Sequence, residues 1–274
     1  MKKEGEIAVF LALVLSILAG FLTLLIGDIR SRMCKGEATM AADAALRSIF
    51  GEYNKEVFDR FHIYLIDASY KKAEGNSDDI LAHFAEYMQV NMQDAQFVDA
   101  EITNSKTAGE NNCEYLYDMA VKYYRENEYG DNETYMSKDD LFYEYCLSLC
   151  GNYASRIKES ARVGELEYLI YGYKEDSENI EIAREQYEEE TEKSENRRAS
   201  YDDFLQEKLA EEDTDTLRNR FGYLVTEYAR SKGSPGICLD ECYAYLEIES
   251  RVTVDDKKEY DLTREYSYEE RSRS

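Results

Sequence analysis

The chain has 274 residues, a formal net charge of −25 at pH 7, 25 tyrosines and no tryptophan. A surface this acidic repels phosphates and anionic lipid headgroups, which excludes nucleic-acid binding through a basic patch. The first 35 residues carry five Lys and Arg against three Asp and Glu, so all of the excess negative charge lies in the rest of the chain.

Residues 7–27 contain no charged side chain, and only Ser16 and Thr23 among them are polar. As a helix this segment is about 31 Å long, which matches the hydrocarbon core of a bilayer. The apolar run is too long for a secretory signal. We therefore predict a retained transmembrane helix, whose membrane anchor includes Ile7, Phe10, Leu15, Phe21 and Ile26.

The charges beside this segment do not set its orientation. Lys2 and Lys3 precede it, and Arg30, Arg32 and Lys35 follow it. Because positive flanks favour the cytoplasmic side, the two ends are close to balanced. Charge alone therefore leaves open which side of the membrane the rest of the chain occupies.

Small side chains continue the helical pattern beyond the lipid. Ala38, Ala41, Ala42 and Ala45, here called the alanine stripe, are followed by Ile49 at the same helical spacing. This spacing predicts a membrane-proximal helix over 28–57. Because small residues permit close helix approach, the stripe either contacts neighbouring subunits or packs against the chain's own domain.

Strand and helix patterns then alternate. Aromatic and β-branched residues over 58–67 predict a central strand, and residues 76–93 predict a helix with Ser77 as N-cap. Apolar and polar side chains alternate over 97–103, which predicts a strand with one solvent-exposed face. The polar residues 104–112 predict a loop. The apolar face of the predicted helix holds Ile80, Phe84 and Met88.

Helical patterns return over 113–126 and 138–163, separated by an acidic loop at 127–137. Asp131, Asn132 and Glu133 in this loop suggest calcium, but Met136 stands where an EF-hand requires glycine. We expect a solvated loop there.

Residues 165–173 predict a third strand, and residues 176–212 predict a charged helical arm, either projecting or mobile. Thr214 is predicted to cap a clearer helix, which ends before the Gly- and Pro-containing break at 231–236. The arm's one apolar face holds Ile180, Ala183 and Tyr187, and that of the later helix holds Leu217, Phe221, Leu224, Val225 and Tyr228.

The strongest strand pattern covers residues 242–254, where apolar and polar side chains alternate. Residues 255–258 predict a turn, and residues 259–268 can return antiparallel to close a hairpin. A long N-terminal transmembrane helix that continues into a domain with an antiparallel sheet and helical insertions is an α+β architecture.

The six cysteines are the one set of residues in the sequence with a spacing that suggests metal binding or disulfide formation. Cys34 lies just past the apolar segment, and Cys113 lies in the acidic remainder of the chain. The other four, Cys146, Cys150, Cys238 and Cys242, form two pairs with the spacing of one helical turn. Four thiolates could bind zinc, although structural zinc usually uses Cys-x2-Cys pairs. Outside the cytosol, disulfides joining the two pairs are a second possibility, and free buried cysteines are a third.

Catalytic motifs are missing from the sequence. His62 and His83 have no partner at metal-ligand spacing, and no G-x-S-x-G, Walker A or G-x-G-x-x-G occurs. We therefore predict no catalytic residue, no cofactor, no metal and no enzymatic activity.

Four segments carry a resemblance: GEIAVFLALVL at 5–15, AADAALRSIFGEY at 41–53, FHIYLID at 61–67 and EYLIYG at 167–172. The first three resemble the start of an uncharacterised bacterial membrane-anchored family, and the fourth is a second match to it; this family is itself similar to the TadE/TadG-like pseudopilins of tight-adherence (Flp-type) pilus systems. Where a major prepilin has Glu five residues after its processed glycine, this chain has Phe10, counted from Gly5. The sequence thus departs from the pattern for processing.

The resemblance implies a short cytoplasmic tail at 1–6 and a pilin-like extracytoplasmic α+β domain at 58–274. It also implies partners among the membrane and pilin-like or secretion-system subunits. We therefore expect a structural or assembly component of a pilus or secretion apparatus. The alternative is a membrane-tethered module that binds peptide or glycan, which a deep aromatic-lined pocket would favour; an enzyme would need a buried carboxylate or thiol cluster.

Overall fold

The computed structural model describes residues 2–129, 136–154, 159–172, 178–193, 200–254 and 258–268. Helices dominate, and an antiparallel sheet completes an α+β fold, which confirms the predicted class. The helices are α1 Lys2–Gly51, α2 Lys55–Phe61, α3 Ser77–Asn91, α4 Glu110–Tyr124, α5 Lys138–Ala154, α6 Glu159–Tyr171, α7 Glu178–Lys193, α8 Tyr201–Glu211 and α9 Thr214–Ser231. The strands are β1 Ile66–Asp67, β2 Ala95–Thr107, β3 Cys242–Val254 and β4 Lys258–Ser267.

The sheet is built around β3. Strands β1 and β2 lie on either side of it, and β4 also pairs with β3. Strand β1 is antiparallel to β3, with Ile66 opposite Tyr243 and Asp67 opposite Cys242. Only three residues separate β3 from β4, too few for a parallel crossover, so the two form the predicted hairpin.

Helix α1 has 50 residues and therefore extends for about 75 Å. In the described part of the chain it is the one helix long and apolar enough to cross a membrane, and no residue of its most apolar window is buried. The helix predicted over 28–57 ends at Gly51 instead, and α2 starts at Lys55. The break occurs because Asn54 caps α2: its side chain accepts the backbone N–H of Val57 at 3.1 Å.

The chain divides into two compact units. The first comprises residues 1–49, 81–104 and 247–266. Within it, α1 is joined to β4: Ser31 shares a hydrogen bond with the Tyr260 hydroxyl, and Arg264 pairs with Asp43 at 2.7 Å. The buried side chains of this unit include Cys34, Ala38, Ala41, Ala42, Ala45, Leu46, Ile49, Phe84, Met88, Ile248, Val252 and Leu262.

The second unit comprises residues 50–80, 105–246 and 267–274. It holds the larger core, in which side chains from α2, α4, α5, α6, α8 and α9 pack together. Phe221 lies near its centre, with ring centroids 5.7 Å from Phe61, 5.6 Å from Phe142 and 5.6 Å from Tyr145 in edge-on geometry. Edge-to-face pairs of this kind add stabilisation beyond simple burial.

Two predicted strands are wrong. Most of the segment 58–67 belongs to α2 and the turn after it, since Val57 and Phe61 bury one helical face and leave only Ile66–Asp67 as strand. The segment 165–173 lies mostly in α6, where Leu166, Leu169 and Ile170 are buried at helical spacing. Short runs of apolar and aromatic residues fit both the helical period of 3.6 residues and the strand period of two, and in these segments tertiary packing selected the helix.

Other boundaries also moved. Strand β2 extends to Thr107, so the first part of the loop predicted at 104–112 is strand. Helix α4 begins at Glu110, but Asn111 and Asn112 have left-handed backbone angles, so the rest of the predicted loop is irregular. The helix predicted over 138–163 is divided between α5 and α6, and residues 131–133, where a solvated loop is expected, lie outside the described residues. Each predicted N-cap lies one residue too late: Asn76 accepts the N–H of Asp78, and Asp213 accepts that of Thr216.

The charged arm predicted near 176–212 comprises two helices, α7 and α8. The predicted apolar face of α7 is confirmed, because Ile180 and Ala183 are buried. Helix α8 contributes Phe204, Leu205 and Leu209 to the core of the second unit. This half of the segment is therefore a packed element of the domain.

Candidate functional site: an aromatic pocket

A pocket of about 500 Å³ opens on the surface of the second unit. Its volume lies within the usual range for small-molecule and peptide-anchor sites. Rings dominate its apolar lining, and three polar side chains complete it. The lining residues are Phe58, His62, Tyr64, Met119, Lys122, Tyr123, Glu126, Asn127 and Tyr268.

One wall is formed by α2 and the residues that follow it. His62 ends α2 in a left-handed conformation, φ 55° and ψ 30°, and its N–H donates to the carbonyl of Phe58 at 2.7 Å. This backbone region is uncommon for residues other than glycine and costs free energy. The turn projects Tyr64 beside Phe58, with ring centroids 4.4 Å apart.

Two hydroxyl groups hold this wall from behind. Tyr145 donates to the carbonyl of Phe61 at 2.8 Å, and Tyr115 donates to the carbonyl of Tyr64 at 2.8 Å. Tyr145 is fully buried, and burial raises the pKa of its hydroxyl well above the ordinary value. The Tyr145 hydroxyl therefore stays protonated as a donor and fixes the carbonyl that precedes His62, while Tyr115 fixes the carbonyl of Tyr64.

The opposite wall is formed by the end of α4 and the turn after it. Met119, Lys122 and Tyr123 lie on α4, and Glu126 and Asn127 lie in a π-helical turn, Arg125–Tyr129. Asn127 donates to the carbonyl of Tyr123 at 3.0 Å. Single π-helical turns are rare and occur frequently at functional sites.

Ring stacking connects the two walls and the C-terminal segment. His62 stacks on Tyr123 with centroids 4.0 Å apart, and Tyr64 stacks on Tyr268 at 4.9 Å. The Tyr268 hydroxyl donates to the carbonyl of Phe50 at 2.9 Å, which fixes that ring. The pocket thus offers ordered aromatic surface beside an ammonium, a carboxylate and an amide.

The sequence did not identify this pocket. His62 lies in a segment that was predicted to be a strand, whereas the structure places it at a helix end, where it lines the site. One signal was present: Tyr53, Phe58, Phe61, His62 and Tyr64 lie within twelve consecutive residues. His83, by contrast, lies on α3, outside the pocket.

The cysteines predicted as possible disulfide partners are not joined by disulfides in the structure. Cys146, Cys150 and Cys242 are buried, and Cys238 is exposed. Burial raises the pKa of Cys146 and of Cys242, with further increases from Cys150 and Asp67 respectively. Within the described residues these four thiols do not form a group that could hold a metal ion.

One group of metal-ligand type does occur in the described residues. The ligand atoms of Cys34, Glu37 and Asp94, all in the first unit, lie within 4.8 Å of one another. Glu37 Oε1 already accepts the backbone N–H groups of Gln93 and Asp94. This carboxylate oxygen is therefore committed to fixing the chain after α3.

The alanine stripe is buried inside the first unit, with each of its side chains at most 2% exposed. Of the two predicted alternatives, the stripe therefore follows the second: it packs against other parts of its own unit. The described anchor residues Phe10, Leu15, Phe21 and Ile26 are exposed, as a lipid-facing helix requires. The side chain of Ile7 lies outside the described residues.

The second unit also buries a carboxylate, Glu167, which is 1% exposed. The Tyr201 hydroxyl donates to its Oε1 at 2.8 Å, and Arg184 lies 3.9 Å away. Burial, and then the hydrogen bond to Glu167, raise the pKa of Tyr201. This arrangement stabilises a buried charge and joins α6 to α8.

No protein-family model, curated protein or solved structure matches this chain.

Proposed function

We propose that this chain is a membrane-tethered binding protein without catalytic activity, which holds a peptide or a glycan in the aromatic pocket. The observation that carries the proposal is the ordered ring surface of His62, Tyr64, Tyr123 and Tyr268 beside the polar groups of the π-helical turn. Peptides and sugars both present an apolar face with hydrogen-bonding edges. Aromatic rings pair with such a face at little entropic cost, and the polar groups select its edges.

Two backbone irregularities support this proposal. The left-handed residue and the π-helical turn lie on opposite walls of the same pocket. Local strain persists only where the surrounding structure imposes it, and it concentrates at ligand sites. Here hydroxyl groups from α4 and α5 impose it on the first wall.

A binding measurement on the full-length chain in detergent tests the proposal. Because the chain contains no tryptophan, tryptophan-containing peptides can be followed by their own fluorescence. An N-acetylglucosamine tetrasaccharide, followed by calorimetry, represents glycans. We expect one of the two classes to bind and Tyr123→Ala to weaken it by about tenfold, the equivalent of about 1.4 kcal/mol.

Tyr223→Ala is the matched control, since Tyr223 is an exposed tyrosine outside the pocket. Equal loss of affinity in both variants would place the binding site elsewhere. Absence of binding by either probe class would contradict the proposal.

The proposed orientation places residues 1–6 in the cytoplasm and the acidic domain outside. The resemblance to membrane-anchored pseudopilin-like proteins supports this orientation. Cys238 is exposed, so a membrane-impermeant maleimide added to intact cells reports on its side. Labelling of the chain, but not of Cys238→Ser, is expected; labelling only after lysis would reverse the orientation.

A structural or assembly role in a pilus-like or secretion apparatus is the second candidate. It is favoured by α1, which retains exposed apolar residues, Ile29, Met33 and Met40, beyond the membrane segment. The N-terminal mass of the chain from its native membrane tests the pseudopilin form of this role. Cleavage after Gly5 would support it, and an intact N-terminus would separate the chain from processed prepilins.

A further inference from the structure

Helix α1 carries a second stripe on the side opposite to the alanine stripe. Ile26, Ile29, Met33, Gly36 and Met40, here called the outer stripe, follow the alternating three- and four-residue spacing of a coiled-coil seam. At about 100° per residue they lie within a sector of about 80° on one face. All five are exposed, including Met33 at 70% and Met40 at 68%.

The same spacing extends into the membrane segment. Ala12, Leu15, Ala19 and Leu22 precede Ile26 at intervals of three and four residues, and all are exposed. Small residues alternating with leucine permit close approach of two helices in lipid, where packing drives association. One seam therefore runs along α1 from the membrane segment to Met40.

We propose that the outer stripe binds the same stripe of a second copy of this chain, forming a parallel two-helix interface. Two copies anchored by the same helix in one bilayer present their stripes at the same height and in the same direction. An apolar seam exposed to water past the membrane is unfavourable until it is covered. This inference depends on the membrane anchor of the proposed function and is independent of the pocket.

Charges beside the stripe fit a second copy. The spacing assigns Met33 to heptad position a of the seam. In a parallel coiled coil, the residue just before position a faces, on the partner helix, the residue five places later in the sequence. Arg32 precedes Met33, and the residue five places later is Glu37. The symmetric pair therefore brings opposite charges together twice.

The present contacts of these two residues are compatible with the pair. Arg32 donates through Nε to Asp28 at 3.0 Å, and a guanidinium has further N–H donors. Glu37 is fixed through Oε1 by the backbone of Gln93 and Asp94. A groove of about 510 Å³ lies along the outer stripe, bordered by Asp94, and provides space for the partner's side chains.

Disulfide cross-linking of the purified full-length chain in phosphatidylcholine vesicles tests the proposal, because no other protein is present. The background carries Cys34→Ser and Cys238→Ser, and Met33→Cys places a thiol on the seam. Lys35→Cys is the matched control, since it is exposed and lies about 200° further around the helix. We expect at least a fivefold higher dimer yield from Met33→Cys; equal yields, or no dimer, would overturn the proposal.

Two further pairs of variants, each with its own control, guard against a misleading result from the introduced cysteines. Met33→Lys in an otherwise unchanged chain is expected to reduce the mass in detergent from twice 31.9 kDa to 31.9 kDa, whereas Val90→Lys, at a 77% exposed site on α3, should not. In the Met33→Cys background, Arg32→Glu should reduce the dimer yield several-fold, and Lys35→Glu should not. A mass that is monomeric before any substitution contradicts the interface.

Discussion

His62 stacks on Tyr123 with ring centroids 4.0 Å apart and planes inclined by only 17°. This contact joins α2 to α4 across the pocket, and it requires His62 to hold a left-handed backbone at φ 55°. The stacking stabilises a conformation that the residue would otherwise avoid, so the pocket wall and the local strain depend on each other.

Replacement of His62 separates these two contributions. His62→Ala loses the stacking and keeps the positive φ, whereas His62→Gly loses the stacking and relieves the backbone. We expect the glycine variant to be the more stable by about 1 kcal/mol, the reverse of the usual order in helices. Chemical denaturation of both variants measures this difference; an alanine variant at least as stable as the glycine variant would contradict the strain.

The cap of α2 is expected to be a major local contribution to stability. Asn54 is 9% exposed; its Oδ1 accepts the N–H of Val57, and its Nδ2 donates to Ser234 at 3.1 Å and Asp67 at 3.3 Å. Asn54→Ala should lower the free energy of unfolding by about 2–3 kcal/mol, since it loses a cap and leaves buried partners unpaired.

Asn91→Ala is the control for this cap, because Asn91 makes an exposed hydrogen bond to the Tyr87 carbonyl at the end of α3. Its cost should remain below about 0.5 kcal/mol. Thermal unfolding of both variants in the same detergent gives the comparison. Equal losses of unfolding free energy would show that the buried hydrogen bonds of Asn54 contribute no more stability than the exposed one of Asn91.

Gly222 permits the close approach of α9 to α4. A Cβ there would lie 2.6 Å from Cys113 Sγ and 3.0 Å from a methyl group of Leu239. Gly222→Ala should therefore cost about 2 kcal/mol through overpacking. Added Cys113→Ala should recover much of that loss, and the double-mutant cycle measures the coupling.

Gly51→Ala serves as the control, since its Cβ would meet nothing within 4 Å. It should change the free energy of unfolding by less than about 1 kcal/mol. A coupling near zero between the other two sites would show that neighbouring side chains relax around the added methyl group.

The thiols should react in two classes. A thiol reagent at pH 8 should modify Cys238 rapidly and the buried cysteines only slowly, because burial raises the pKa of Cys113 from 9.0 to about 11 and those of Cys146 and Cys242 as well. Loss of the rapid phase in Cys238→Ser identifies it. Thiols are also counted with and without reductant. We expect equal counts, because the structure contains no disulfide between these cysteines; a lower count without reductant would support the predicted disulfides.

The same shifts predict reduced stability at alkaline pH. Above pH 9 the unfolded chain loses thiol protons that the folded chain keeps, so the unfolded state binds fewer protons and the free energy of unfolding falls as pH rises. The contribution is complete below pH 9 and decreases through about pH 11 for Cys113. Denaturation midpoints at pH 8 and pH 10 measure it, and Cys113→Ala should reduce the difference.

The sequence alone was sufficient to predict those helices and strands in which apolar residues recur at a regular spacing over many residues. The uncharged segment 7–27 lies in a helix, and the alternation over 242–254 forms β3, whose inward side chains such as Leu246, Ile248 and Val252 are fully buried. Such patterns persist over enough residues for one period to prevail. The same applies to α9, where Leu217, Phe221 and Val225 face the core.

Tertiary structure decided everything that required distant residues to meet. The pocket combines residues 58–64, 119–127 and 268, and no local period relates them. The sequence showed that small residues follow helical spacing on α1, but only packing revealed that the alanine stripe is buried while the outer stripe is exposed. Composition and period are local quantities, whereas the covering of one face depends on which distant segments pack against it.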